Sequence, residues 1–255
     1  FASVEKMFKK HALALTIFGA PTKQGKSAST TQEAYDLAGS NFYNPAWGYQ
    51  NGKIRNSRIE YRHQPTMILT HEWKPKDNMN LLTASGYSFG ERSVSSIDRN
   101  TNVEDPRPDY YKYLPSYFND SGDVRSALLY EQLKNNPDQM QLNWARLYDV
   151  NNNAEAVTIN NVNGVAGNSV TGKNAVYIVG DNSQFYHRFN FNTVYNVSIK
   201  KFDITAGLTY QFQKVNNYKR VKDLLGSDFY LDQNSFTDDS INTNVDVTFP
   251  DLNNP

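Results

Sequence analysis

The chain has 255 residues, 38% hydrophobic and 13% aromatic, with 26 lysines and arginines against 26 aspartates and glutamates. No run approaches the roughly 18 consecutive apolar residues of a transmembrane helix, which excludes a helical membrane protein. The charge balance, with no basic stripe, disfavours nucleic acid as a partner, and the absence of cysteine removes both disulfides and thiolate metal sites.

Three candidate hairpins of one polarity follow one another along the chain. The first rises through Leu13, Leu15 and Ile17 after a basic turn at Lys9-Lys10. The second descends through Met67, Leu69, His71 and Trp73, turns at Lys74-Pro75-Lys76-Asp77-Asn78, and rises through Leu81, Thr83, Ser85, Tyr87 and Phe89. Two helices are expected in the connection that follows. One spans Val124, Leu128 and Leu133, capped by Asp120 or Ser121. The other starts at Asn136-Pro137-Asp138 and carries Met140, Trp144 and Leu147 at i, i+4, i+7.

The third hairpin, Phe185 to Phe212, is the most informative. Phe185, His187, Phe189, Phe191, Thr193, Tyr195 and Val197 alternate with Tyr186, Arg188, Asn190, Asn192, Val194 and Asn196. After Ser198-Ile199-Lys200-Lys201, Phe202, Ile204, Ala206, Leu208, Tyr210 and Phe212 alternate with Asp203, Thr205, Gly207, Thr209, Gln211 and Gln213. Successive strand side chains point to opposite faces, so each run has one apolar and one polar wall. Each is about the 9–11 residues a tilted strand needs to cross a bilayer. Phe189, Phe191, Tyr195, Phe202, Ile204, Leu208, Tyr210 and Phe212 are then the lipid-facing candidates, with aromatics near the ends as in a membrane girdle. A mean hydropathy of -0.68 is no obstacle, because only alternate residues of such a wall meet lipid. A soluble sandwich also has alternating strands.

Turn and loop lengths separate the two. The three turns are short and carry lysines, whereas the connections on the opposite side, about 20–62, 91–180 and 214–255, are long against a usual median of about 4–6 residues. Short turns on one side and long loops on the other are the asymmetry of outer-membrane barrels. The expected fold is therefore all-β, a fragment of a large antiparallel transmembrane β-barrel whose long extracellular loops carry short helices. Neither Phe1 nor Pro255 closes an element cleanly, so the chain reads as a stretch of something longer.

Nothing in the sequence points to catalysis, a cofactor or a metal. There is no Gly-x-Ser-x-Gly elbow, and His11, His63, His71 and His187 lack metal-ligand spacing. Acidic pairs such as Glu104-Asp105 and Asp238-Asp239 fall in loops, and Asp120-Ser121-Gly122-Asp123 lacks the rest of a calcium loop. Two loop segments carry binding chemistry, aromatic faces with forked donors. Tyr43, Asn44, Trp47 and Arg55 lie in one; Arg107, Asp109 and Tyr110 lie in the other, which runs from Asp105 to Tyr117. For Tyr43, Trp47 and Arg55, ligand binding and loop locking stand level. The three prolines and clustered tyrosines of Asp105–Tyr117 favour locking.

The runs TQEAYDLAGSNFYNPAWGYQNGKIRN (Thr31–Asn56), DPRPDYYKYLPSY (Asp105–Tyr117), LNWARLYDVN (Leu142–Asn151) and VKDLLGSDFYLD (Val221–Asp232) resemble barrel segments of Bacteroidota-type TonB-dependent outer-membrane receptors. The resemblance implies the interior of a 22-stranded barrel in the cell outer membrane, with short turns periplasmic and long loops extracellular. It implies nutrient capture for active transport, with outer-membrane lipid around the wall. A plug domain, a TonB box and the closing strands are not among these residues, so coupling to the TonB complex would run through a plug elsewhere. It transfers no ligand-contacting residue by motif, leaves the small nutrient ligand open, and leaves room for a surface lipoprotein as partner. The alternatives are a secreted glycan-binding β-sandwich and a passive porin-like barrel.

Overall fold

The computed structural model describes residues 1–99, 103–119, 124–162, 166–232 and 246–248. It is mostly β and built from antiparallel sheets. The first strands are β1 (Ala2–Met7), β2 (His11–Phe18), β3 (Thr22–Gly25), β4 (Trp47–Gln50), β5 (Lys53–Asn56), β6 (Ile59–His63) and β7 (Thr66–Lys76). Then come β8 (Met79–Arg99), β9 (Ala156–Asn160), β10 (Ser169–Lys173), β11 (Tyr177–Ile199), β12 (Phe202–Asp223), β13 (Tyr230–Asp232) and β14 (Asp246–Thr248). Helices α1 (Gln32–Ala38), α2 (Arg125–Asn135) and α3 (Trp144–Asn152) interrupt them. The chain divides into two compact units. One comprises Phe1–Lys23, Glu60–Ser93 and Ser183–Tyr218; the other comprises Gln24–Ile59, Val94–Asn182 and Lys219–Pro255.

The first unit is built on an eight-stranded sheet whose main path runs β1-β2-β7-β8-β11-β12, with β6 pairing β8 and β3 pairing β6 off that path. Its registers bring the apolar rows of separate hairpins onto one face. Val4 lies opposite Leu15, Leu15 opposite Leu69, and Leu69 opposite Ser85. A bond of 2.9 Å between the Thr83 and Thr193 hydroxyls carries that face on to β11. The opposite face of β11 and β12 carries a polar ladder. Ser198 donates to Asp203 at 2.6 Å, Thr205 to Asn196 at 2.8 Å, Thr209 to Asn192 at 2.9 Å, and Arg188 to Gln213 at 2.9 Å. The pleat then sends Phe202, Ile204, Leu208, Tyr210 and Phe212 to the apolar side. Among the described buried hydrophobic residues, only Val197 belongs to this unit. Its stability therefore comes from ladders and cross-strand pairs rather than an internal core.

All three expected turns are present, the second shorter than its sequence suggests. β7 continues through Lys74-Pro75-Lys76 with a register shift between Trp73 and Lys76, leaving Asp77-Asn78 as the turn. Pro75 has no N–H for the ladder, and an irregularity there is how a strand accommodates it. Lys200 takes up the reversal of the third hairpin at φ 56°.

The long connections are more structured and shorter than their sequence suggests. β8 continues to Arg99, β11 begins at Tyr177 and β12 reaches Asp223. Past Gly90 each face of β8 is mostly polar, with Val94 and Ile97 falling on opposite faces, so alternation gives no signal while backbone pairing persists. Ser95, almost fully buried, accepts from Ile59 N–H at 2.9 Å and donates to the Ser57 carbonyl at 2.8 Å.

The second unit owns the buried clusters. Ala34 and Leu37 of α1 pack with Leu114, Leu133 and Met140; Leu142, Trp144 and Leu147 pack with Tyr177, Val179 and Leu225. α1 was not apparent from apolar periodicity, being too short to show it. Thr31 caps it by accepting from Ala34 N–H at 3.3 Å, and Gly39 ends it at φ 65°.

The single helix expected from Asn136 is two pieces, a 3-10 turn over Pro137–Met140 and then α3. Leu142 leaves the helical path to donate its N–H to the Trp47 carbonyl at 3.0 Å, and Asn143 restarts the helix by accepting from Arg146 N–H. Met140 consequently serves a different cluster from Trp144 and Leu147. Only glycine fits beside this crossing, because a Cβ at Gly48 would lie 1.9 Å from the Leu142 carbonyl oxygen. α2 forms as expected, while its anticipated cap at Asp120 or Ser121 lies outside the described residues, as does Asp238-Asp239.

Candidate ligand-binding loops and the apolar sheet face

The eight lipid-facing candidates share one face of β11 and β12. Phe202 is 73% exposed and Leu208 62%, while Phe191 and Tyr195 are half-buried beside their neighbours. Several of the polar residues that interrupt this face are paired along it. Thr193 meets Thr83, the Tyr87 hydroxyl lies 2.6 Å from His187 Nδ1, and His11 Nδ1 lies 2.9 Å from His71 Nε2. His11 also stacks on Trp73, ring centroids 5.9 Å apart. Hydrocarbon offers no hydrogen bonds, so a lipid-facing wall needs such internal pairing.

The seven loop candidates separate into two groups and a staple, all in the second unit. Asn44 is the staple: its Oδ1 accepts from the N–H groups of Ala28 and Ala46, and its Nδ2 donates to the Lys26 carbonyl.

Trp47 and Arg55 belong to the β4–β5 hairpin, where Arg55 lies opposite Gly48. Arg55 is a hub. Its guanidinium stacks 3.9 Å from the Trp144 ring centroid, and Nη2 donates to Asp223 at 2.6 Å. Nη1 reaches Gln50 at 2.9 Å and the Tyr148 hydroxyl at 3.2 Å, while the Arg55 carbonyl accepts from Trp144 Nε1. Its fork is thus taken by the protein itself. Trp47 meets Tyr49 edge-on at 5.6 Å, and Tyr49 is exposed.

Tyr43, Arg107, Asp109 and Tyr110 form the other group. Tyr43 donates to the Met140 carbonyl at 2.6 Å and packs against the α1 cluster. Burial first, and the nearby Asp109 carboxylate second, push its phenol well above the usual tyrosine range. Arg107 grips Asp105 with Nε and Nη2, and Asp105 also pairs with Arg99 at 3.1 Å. Burial would lower the Arg107 pKa, but the bond to Asp105 and the charges of Asp105 and Asp109 outweigh it and raise the value. Asp109 is only 7% exposed, and its Oδ1 has no hydrogen-bond partner among the described residues. Tyr110 meets Tyr111 and Tyr113 edge-on at 4.7 and 5.4 Å, and Tyr111 meets Tyr117 at 5.6 Å. Ser116 donates twice to Glu33. This herringbone locks the Asp105–Tyr117 loop. Asp109 Oδ1 is the group's unpartnered acceptor, closed off from solvent.

The sequence reading missed the charge pairs at the far end of β12. Lys219 pairs with Asp98, and Arg220 reaches the nearly buried Asp181 at 3.2 Å. They carry no apolar periodicity, and pairing of strands so distant in sequence has no local signature. Among the described residues no group of three or more His, Cys, Asp or Glu is placed to hold a metal, and no helix is long and apolar enough to cross a membrane.

Comparison with known protein families, with curated proteins and with solved structures finds no match for this chain.

Proposed function

We propose that this chain is part of the wall and extracellular loops of an outer-membrane β-barrel that captures a nutrient for TonB-energised uptake. The observation that carries the proposal is the exposed apolar face running across six paired strands, with three pairs of its polar interruptions hydrogen-bonded to one another. Behind it, on β11 and β12, runs a polar, hydrogen-bonded ladder. A β-sandwich would cover such a face with a second sheet; a barrel wall presents it to lipid and turns the polar face to the lumen. On this reading the short lysine turns are periplasmic and the long connections extracellular, with Trp47 as the ligand-facing position.

The active-transport class is supported by the resemblance of the loop phrases to TonB-dependent receptors. The wall does no covalent chemistry. It gives position and selectivity, and energy would arrive through a plug. The test is fractionation of the full-length protein with gel mobility scored before and after heating. Recovery in the outer membrane with a heat-dependent shift is expected, and ligand uptake should stop when TonB is removed. A soluble protein without a shift would replace the barrel with the glycan-binding sandwich. Uptake that persists without TonB would leave a passive, porin-like barrel.

A further inference from the structure

The turn end of the first unit concentrates positive charge in a chain that is neutral overall. The three turn segments, Phe8–His11, Lys74–Asn78 and Ile199–Phe202, carry six lysines and one acid, Asp77. Antiparallel order places all three turns at the same end of the sheet, and they are bonded into one rim. Lys74 N–H donates to the Lys10 carbonyl at 2.8 Å, Lys10 Nζ to the Pro75 carbonyl at 2.6 Å, and Ser198 N–H to the Asn78 carbonyl at 3.0 Å.

The nearby acids offset only part of this charge. Glu72 pairs with Lys74 at 2.8 Å, and Asp77 and Asp203, the latter accepting from Ser198, still leave the rim net positive. Lys9, Lys76, Lys200 and Lys201 are exposed and have no ion-pair partner among the described residues. Just inside the rim, on the apolar face, Lys6 lies 5.3 Å over the Phe8 ring and His11 stacks on Trp73. Aromatic rings beside cationic side chains, at the boundary of an apolar band, form a headgroup-level arrangement.

We propose that this rim binds the anionic headgroups of phospholipids in the leaflet that meets the turns. The inference rests on the membrane-wall reading and adds a lipid specificity to it. Each lysine near an anionic surface contributes about 1 kcal/mol, or roughly a fivefold change in partition at low salt. Four unpaired lysines held at one level by bonded turns therefore make a selective collar. The neighbouring apolar face fixes its depth, because the headgroups begin where that face ends.

The test uses the full-length protein, wild type and a Lys9→Gln/Lys76→Gln/Lys201→Gln variant. Each is reconstituted into phosphatidylcholine vesicles, alone or with one third phosphatidylglycerol. Insertion is scored by heat-dependent gel mobility, and lipid preference by mass spectrometry of the lipids retained on repurification. The expected result is insertion of both proteins into both vesicles. The wild type should enrich phosphatidylglycerol, and the variant should lose at least about tenfold of that enrichment. As a second measurement, raising salt to about 1 M, where the screening length is roughly 3 Å, should erase the wild-type preference.

Insertion with equal retention of both lipids by both proteins would overturn the collar and leave the wall intact. A preference unchanged in the variant would also overturn it. Failure of the wild type to insert in either vesicle would overturn the wall reading itself. A salt-sensitive association without insertion would do the same, and would mark the rim as a site for an acidic surface of another kind.

Discussion

The Tyr87 hydroxyl and His187 Nδ1 share a hydrogen bond of 2.6 Å between β8 and β11, with their rings stacked 6.1 Å apart. Histidine interrupts a mostly apolar row at position 187, and tyrosine is a residue that can answer it without losing apolar surface. The pair shows how the sheet tolerates polar groups on its greasy face: several of them lie within hydrogen-bonding reach of one another across neighbouring strands.

The first prediction tests that pairing. Tyr87→Phe keeps the ring but leaves the imidazole nitrogen unsatisfied, which should cost about 1–3 kcal/mol. Adding His187→Leu should return part of the loss, because removing both partners is cheaper than orphaning one. Urea unfolding of the full-length protein in vesicles reads both. A double variant no better than the single one would assign the loss to packing.

The two faces of β12 should differ sharply in their tolerance of charge. Leu208 is exposed on the apolar face, while Thr209 donates to Asn192 on the polar one. Leu208→Arg should cost roughly 2–4 kcal/mol and reduce insertion if it lies near the bilayer midplane. Thr209→Arg gives up one neutral hydrogen bond of about 1 kcal/mol and should insert normally. Comparable amounts of both variants in the outer membrane would count against the lipid assignment.

Much of the first unit was legible in the sequence because it rests on period-two alternation. Leu13, Leu69 and Phe191 each announce a strand, and lysines mark each turn. What the sequence did not disclose was register, the property that places those separate rows on one face. The second unit was less legible. Thr31 and Gly39 cap and stop α1, but the seven residues between them carry too little periodicity to declare a helix. Met140, Trp144 and Leu147 kept helical spacing even though the chain breaks at Leu142, because a tertiary bond to Trp47 overrides the local pattern. Of the binding candidates, Arg55 shows the limit most clearly. Residue type suggested a forked donor for a ligand, yet Asp223, 168 positions away, already occupies it.

Arg55 should accordingly behave as a structural residue. Arg55→Lys retains a charge but loses the planar stack on Trp144 and the simultaneous reach to Gln50, Tyr148 and Asp223. The Arg55 and Asp223 side chains are 25% and 32% exposed, so a loss of about 2 kcal/mol is expected rather than that of a fully buried ion pair. Limited proteolysis and thermal unfolding should detect it. Unchanged stability with weakened ligand binding would return Arg55 to the binding surface.

Tyr43 predicts an alkaline limit. Its phenol is raised in the folded protein by burial and then by Asp109, so its contribution to stability is complete below the unfolded tyrosine value of about 10. The contribution falls as pH rises above that value towards the folded one, because the unfolded chain releases the proton first. Tyrosinate absorbance should therefore show a late-titrating tyrosine that Tyr43→Phe removes. If Tyr43→Phe leaves the titration curve unchanged, the phenol is not held as described.

Trp47 gives the most direct test of ligand capture. Its backbone carbonyl holds Leu142, a contact any side chain preserves, while its indole is only partly buried and meets the exposed Tyr49 edge-on. Trp47→Ala therefore removes an aromatic face without removing the bond that breaks the helix before α3. If that face stacks on ligand, apparent affinity should fall by about 1–1.5 kcal/mol, roughly tenfold, at an unchanged amount of receptor in the outer membrane. Parallel loss of uptake and of receptor amount in Trp47→Ala would show that the indole holds the β4–β5 hairpin in place.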